Sequence, residues 1–122
     1  MKIFDMFYKL DITEKIDGRT VRGVKYGCTN QHAEDRARRV EKSARDSGHD
    51  ITVKASKYYF NPDRSKDIGE IEHKIHSNSK LRHYDDGGRP FNGSTEIYSK
   101  REARRIEKFL SKNDINLKKC GK

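Results

Sequence analysis

The sequence predicts an α+β domain, a small and mainly antiparallel three-stranded sheet flanked by helices. Three observations predict it. Two strand-like stretches stand on either side of an Asp17-Gly18 turn signal. Three further stretches repeat apolar residues at spacings of three and four, the mark of amphipathic helices. The order is strand, strand, helix, strand, helix, loop, helix, which suits a small sheet with helices packed on it. A chain of 122 residues is enough for one domain. We expect that domain over residues 1–112 and a basic, fraying tail over 113–122.

Each element has its own signal. Residues 3–10 set Phe4, Met6, Tyr8 and Leu10 against Asp5, Phe7 and Lys9, a half-buried strand. Residues 11–19 are polar and hold the turn. A second strand over 20–29 runs through Val21, Val24, Tyr26 and Cys28, and the short connection makes the pair a hairpin. Ala33, Ala37, Val40 and Ala44 define a helix over 31–47, capped by Asn30 and ended by Gly48. Ile51, Val53, Ala55, Lys57 and Tyr59 share one face of a third strand, broken at Asn61-Pro62-Asp63. Ile68, Ile71 and Ile75 form the stripe of a central helix over about 66–78, with Asp67 and Glu70 as a reciprocal cap. Residues 82–92 read as a loop and 93–99 as a short ordered piece. Ser99 and Glu102 then open a last helix with Ala103, Ile106, Phe109 and Leu110 as its stripe.

Composition narrows the function. Hydrophobic residues are 31% and charged residues 39%, so the core is small and much of the chain is solvated. The net charge is +9, from 28 Lys and Arg against 19 Asp and Glu. That surplus favours a polyanionic partner, and nucleic acid first, because phosphate neutralisation releases counterions. No apolar run is long enough to cross a membrane, and the first ten residues do not read as a signal peptide. Cys28 and Cys120 are too far apart in sequence to suggest a disulfide framework or a zinc signature, which fits a reducing cytoplasm.

Several candidate groups stand in order along the chain. Met6-Phe7-Tyr8 lies on the first strand and Lys25-Tyr26-Gly27 on the second. Arg36 opens the first helix. Ile71-Glu72-His73-Lys74-Ile75-His76 lies on the central helix, and Gly93-Ser94-Thr95-Glu96-Ile97-Tyr98 follows. Together these resemble the GIY-YIG nuclease superfamily, in particular the phage and bacterial branch whose second half-motif begins with Lys. The resemblance covers about residues 3–110. It implies a GIY-YIG-like fold and a metal-dependent DNA endonuclease of a bacterial or phage-infected cell. By the same resemblance Tyr8, Lys25, Arg36 and Glu72 are catalytic, and Glu72 holds Mg²⁺ or Mn²⁺. His76 and Thr95-Glu96 match features of that branch without an assigned role. The chain departs from the pattern in four ways, one being a hairpin between the half-motifs that is longer than usual. The first half-motif has no glycine, Tyr26 stands where isoleucine is usual, and the family's late asparagine has only Asn92 nearby.

The chemistry is coherent without the resemblance. Phosphodiester hydrolysis needs a cation at the developing charge, a base for water and a cationic group on the phosphate. One carboxylate such as Glu72 holds a hard cation when water and phosphate complete the shell. Arg36 offers a planar fork to a phosphate oxygen, and Arg38 is its rival while the helix register is open. A phenol with a pKa of about 10 is ionised to only about 0.1% at pH 7, so Tyr8 needs help as a base. A nearby Lys25 ammonium favours the phenolate.

Plainer readings stand beside these. Tyr8 fits a strand aromatic, Arg36 a solvated helix face, Gly27 a close-packing glycine and Cys28 a small buried residue. His73 and His76 have a spacing that superficially suggests zinc. For nucleic-acid contact we single out Arg38, Arg39, Lys57, Arg64, His76, Arg82 and Arg89, as backbone contacts without sequence readout. DNA is the expected partner, with RNA left open. One site nicks one strand, so double-strand cleavage calls for a dimer on DNA or a second encounter, and targeting for loops or a protein partner. Two other classes compete: a non-catalytic nucleic-acid-binding protein on the same scaffold, and a phage-type inhibitor whose basic face binds an acidic host protein.

Overall fold

A computed structural model describes residues 5–61, 68–77 and 97–120. The first element is an antiparallel hairpin of β1 (Met6–Ile16) and β2 (Arg19–Thr29). Asp17 and Gly18 connect them with φ of 50° and 79°, the left-handed pair of a type I′ turn. The turn lies where the sequence predicts it, but the strands run right up to it. Residues 11–16 are strand and not turn, because Leu10, Ile12, Glu14 and Ile16 continue one buried row. Glu14 disguises that row. It is buried beside His49, with its Oε2 at 2.6 Å from Nδ1 and both side chains fully enclosed.

The chain continues through α1 (Ala33–Asp46), β3 (Asp50–Phe60), α2 (Ile68–His76), β4 (Ile97–Tyr98), α3 (Lys100–Lys112) and β5 (Lys118–Lys119). Among the described residues this is an α+β arrangement of three helices and one five-stranded antiparallel sheet, ordered β4-β2-β1-β3-β5. The expected three strands form its centre. The two added strands are two residues each, too short to leave a periodic signal.

The sheet separates two cores. On one face Tyr8, Leu10, Ile12, Ile51, Val53 and Ala55 meet the alanine stripe and Val40 of α1. The small side chains of that stripe allow the helix to lie close to the strands. On the other face Phe7, Val24 and Tyr26 meet Ile68 and Ile75 of α2 and Ala103, Ile106 and Leu110 of α3. The isoleucine stripe of α2 and the stripe of α3 thus bury as their spacing predicts. The Asp67 cap lies outside the described residues.

The face assignment of β3 needs correction. A register shift between Lys9 and Leu10 leaves Ser56 as an extra residue on β3. Ile51, Val53 and Ala55 face α1, but beyond the bulge Tyr58 joins that core and Tyr59 joins the opposite one. The outer edge of β3 is closed in two places. The Glu41 carboxylate accepts from the Val53 N–H at 2.9 Å, and Arg45 Nε donates to the Ile51 carbonyl at 3.1 Å. Further on, β5 pairs with Lys57 and Tyr58.

Both α1 and α3 end in the same motif. The His49 N–H reaches back to the Ala44 carbonyl and the Gly48 N–H to that of Arg45, while Ile115 and Asp114 do the same to Leu110 and Ser111. The left-handed residue is Gly48 at φ 90° in one case and Asp114 at φ 63° in the other. Ser99 caps α3 by accepting the Glu102 N–H at 3.3 Å, as expected. The cap of α1 is His32, not Asn30, whose Oδ1 instead accepts the Asp5 N–H at 2.8 Å. Within residues 113–120, Ile115 is buried in the second core, and the Cys120 N–H donates to the Ser56 carbonyl at 2.9 Å. No helix among the described residues is long and apolar enough to cross a membrane.

Candidate functional site

The hairpin register sets Tyr8 directly opposite Gly27. The phenol ring lies over this glycine so closely that a Cβ at position 27 would overlap its hydroxyl and Cζ. Gly27 is therefore the close-approach glycine of the site, since only a residue without a side chain admits the ring. Tyr8 is 2% exposed, and its hydroxyl accepts from Arg36 Nε at 3.4 Å. Arg36 is half-buried on the first turn of α1, whereas Arg38 and Arg39 are exposed. Arg38 pairs with Asp35. Of the two rival arginines, Arg36 is the one beside the tyrosine.

On the other side of β2, α2 presents Glu72. Ile68 and Ile75 at the two ends of the stripe seat this helix on the second core, which leaves Glu72 and His76 at its border, each side chain about one-fifth exposed. His76 Nε2 lies 3.4 Å from Glu72 Oε1. Its Nδ1 is within hydrogen-bonding distance of the Tyr98 hydroxyl, and the two rings lie nearly parallel with centroids 5.6 Å apart. When the phenol donates to Nδ1, Nε2 carries the ring proton and turns it toward the carboxylate. Burial alone would raise the Glu72 pKa. The His76 imidazole, the Cys28 thiol and the positive charge of Lys25 outweigh it and hold the carboxyl below its ordinary value.

β2 lies between the two groups, which stand on opposite faces of the sheet: Tyr8 in the core of α1, and the helix of Glu72 on the other core. Within four residues, Lys25 acts on Glu72 through its charge, Gly27 receives Tyr8, and Cys28 hydrogen-bonds Glu72. Alternation along the strand puts Lys25 and Gly27 on the face of Tyr8 and Cys28 on the face of α2. Lys25 has no exposed surface, being flanked by Leu10 of β1 and Ile97 of β4.

The candidate nucleic-acid contacts fare differently from one another. Lys57 Nζ lies 2.8 Å from Glu107 Oε1, and Lys9 Nζ lies 3.5 Å from the other oxygen. Burial raises the Glu107 pKa, but these two ammonium groups bring it below the ordinary range, so Lys57 helps to fasten α3 to the sheet. His76 lies beside Glu72 and Tyr98 with about one-fifth of its side chain exposed. Arg64, Arg82 and Arg89, with Thr95, Glu96 and Asn92, lie outside the described residues. His73 is exposed while His76 turns to Tyr98, and among the described residues no three His, Cys, Asp or Glu side chains gather into a metal cage. Sequence reasoning missed Cys28 and Tyr98 as neighbours of the site. Tyr98 carries no signal of its own, because its link to His76 spans 22 residues and depends on β4 pairing with β2.

The chain matches no protein-family model, no curated protein and no solved structure.

Proposed function

We propose that the protein is a divalent-cation-dependent endonuclease of GIY-YIG type that nicks DNA by water attack on the phosphodiester. The observation that carries this reading is the setting of Glu72: a partly exposed carboxylate on α2 with His76 Nε2 at 3.4 Å, its pKa drawn below the ordinary value by that histidine, the Cys28 thiol and the buried Lys25. An ionised carboxylate with part of its surface open fits a hard cation whose other ligands are water and phosphate. Mg²⁺ or Mn²⁺ bound there would neutralise charge developing on the phosphoryl oxygens. Glu72 would hold the cation, with His76 and Tyr98 fixing the orientation of its carboxylate. Arg36 would contact a non-bridging phosphate oxygen through the guanidinium nitrogens not facing Tyr8. Tyr8 orients that guanidinium and is the candidate to take the proton of the attacking water.

One observation favours a second reading, a nucleic-acid-binding protein on the same scaffold without catalysis. The Tyr8 hydroxyl is enclosed, which restricts its access to water. Conversion of supercoiled plasmid with Mg²⁺ or Mn²⁺, beside EDTA and Glu72→Ala controls, separates the two. A nuclease nicks only with metal and loses at least about a hundredfold in rate in the variant while still binding DNA. If the wild type binds plasmid and leaves it intact under every metal condition, the catalytic reading is wrong.

A further inference from the structure

Helix α3 carries six Lys or Arg and two Glu, whereas α1 carries five Lys or Arg and four Asp or Glu. The difference in pairing is larger than the difference in count. On α1, Arg38, Lys42 and Arg45 each have a carboxylate within the same helix. On α3, Arg105 alone pairs with Glu102, and Glu107 is turned inward to Lys57 and Lys9. Lys100, Arg101, Arg104, Lys108 and Lys112 are exposed, and no carboxylate of the described residues pairs with them.

The positions of these cations are informative. Lys100, Arg104, Lys108 and Lys112 recur every four residues, one row along the helix at about 6 Å intervals and about 18 Å in all. Lys100 and Arg101 stand in the first turn, where the helix dipole disfavours cations. Glu102 in the same turn pairs with Arg105, and among the described residues no carboxylate pairs with Lys100 or Arg101, which is the pattern of a surface shaped for an outside anion. The apolar stripe of the same helix, Ala103, Ile106 and Leu110, is buried in the second core. The outer face therefore offers charge without apolar side chains to insert in a lipid layer. A duplex presents a strand phosphate about every 3.4 Å of its axis, so the row runs along several phosphates at once.

We propose that the outer face of α3 is the docking surface for the sugar-phosphate backbone of duplex DNA. The inference rests on the nucleic-acid reading above and supplies its missing surface. The row begins at Lys100, two residues after Tyr98, whose hydroxyl faces the histidine of the Glu72 site. DNA lying along α3 is thus delivered toward that site from its Lys100 end.

The test is fluorescence-anisotropy binding of a 20-base-pair duplex by the full chain across a salt series. The α3 variant is Lys100→Gln, Arg104→Gln and Lys108→Gln, since glutamine keeps helix propensity. A charge-matched control places Lys15→Gln, Arg19→Gln and Arg22→Gln at the far hairpin, all exposed positions. Circular dichroism verifies that both variants are folded. We expect the α3 variant to lose at least about tenfold in affinity near 0.1 M salt and about 2.7 from the log–log salt slope, at roughly 0.9 per phosphate contact. The control should stay within about threefold of the wild type. An α3 variant with the wild-type slope overturns the proposal while leaving DNA binding intact. Equal losses in both variants overturn it too, since net charge alone would then account for binding. A wild type that binds phosphatidylserine vesicles and not the duplex overturns both this surface and the nucleic-acid reading beneath it. Docking through α3 without plasmid nicking would remove the catalytic reading alone.

Discussion

A lysine with no exposed surface must be held by what surrounds it, and Lys25 is such a residue at the centre of the site. Its charge is one of the influences that keep Glu72 ionised, after His76 and Cys28. Replacing Lys25 by Met preserves volume and removes that charge. The Glu72 pKa should then rise, because one cause of its lowering is gone. The sign for stability follows from linkage. A depressed carboxyl contributes stability above its unfolded pKa of about 4.3 and loses it as pH falls through the lower folded value. Lys25→Met narrows that window, and an NMR titration of the Glu72 carboxyl reads the shift without relying on turnover. An unchanged titration would mean that Lys25 does not act on Glu72. Gly27 gives a second prediction. In Gly27→Ala the new methyl occupies the space of the Tyr8 phenol, so the ring must leave its contact with Arg36. We expect a loss of roughly 1–3 kcal/mol in urea unfolding, in the range of overpacked cores. The proposed nicking activity should fall with it, and a variant as stable as the wild type would show that the ring moves aside freely.

At the scale of elements, the sequence shows stripes better than it shows pairings. The isoleucines of α2 and the Ser99 cap of α3 are local signals, and both lie where periodicity and capping place them. The bulge at Ser56 and the buried Glu14–His49 pair are decisions of tertiary structure, so neither alternation nor charge reveals them. Helix ends fall between these cases. Gly48 is a legible stop, but Asp114 does the same task without the usual residue. The two positions should respond oppositely to substitution. Gly48→Ala forces a side chain into the left-handed region and should cost about 1 kcal/mol or more. Asp114→Gly relieves the same strain and should gain roughly 0.5–1 kcal/mol, less the added freedom of the unfolded chain. Thermal melts of both variants check the pair. A fall in Tm for Asp114→Gly would mean that the aspartate side chain contributes more than its backbone costs.

Across the whole molecule, the parts of the candidate site that the sequence makes legible are those fixed by one element or one hairpin. Tyr8 over Gly27 follows from a turn that sets the register, and Glu72 at the helix border follows from the isoleucine stripe. What the sequence hides depends on the edges of the sheet, where β4 brings Tyr98 to His76 and β5 closes the far side. The last eight described residues illustrate this most sharply, since their polar composition reads as a loose tail. In the fold, Ile115 is 4% exposed against the core of α2 and α3, Cys120 packs on the core of α1, and β5 covers the backbone of Lys57 and Tyr58. A chain cut after Lys112 loses all three and also loses the closing bonds of α3 to Leu110 and Ser111. Removal of one buried isoleucine side chain costs about 2–5 kcal/mol by itself. A domain with a core this small stands only about 5–15 kcal/mol above unfolding, so the cut should remove a large share of its stability. Urea unfolding of the truncated chain should show a clearly lower midpoint, with a concentration-dependent tendency to associate through the uncovered edge of β3. A midpoint equal to that of the full chain would return the segment to the status of a tail. It would also place the whole of the stabilising structure between β1 and α3.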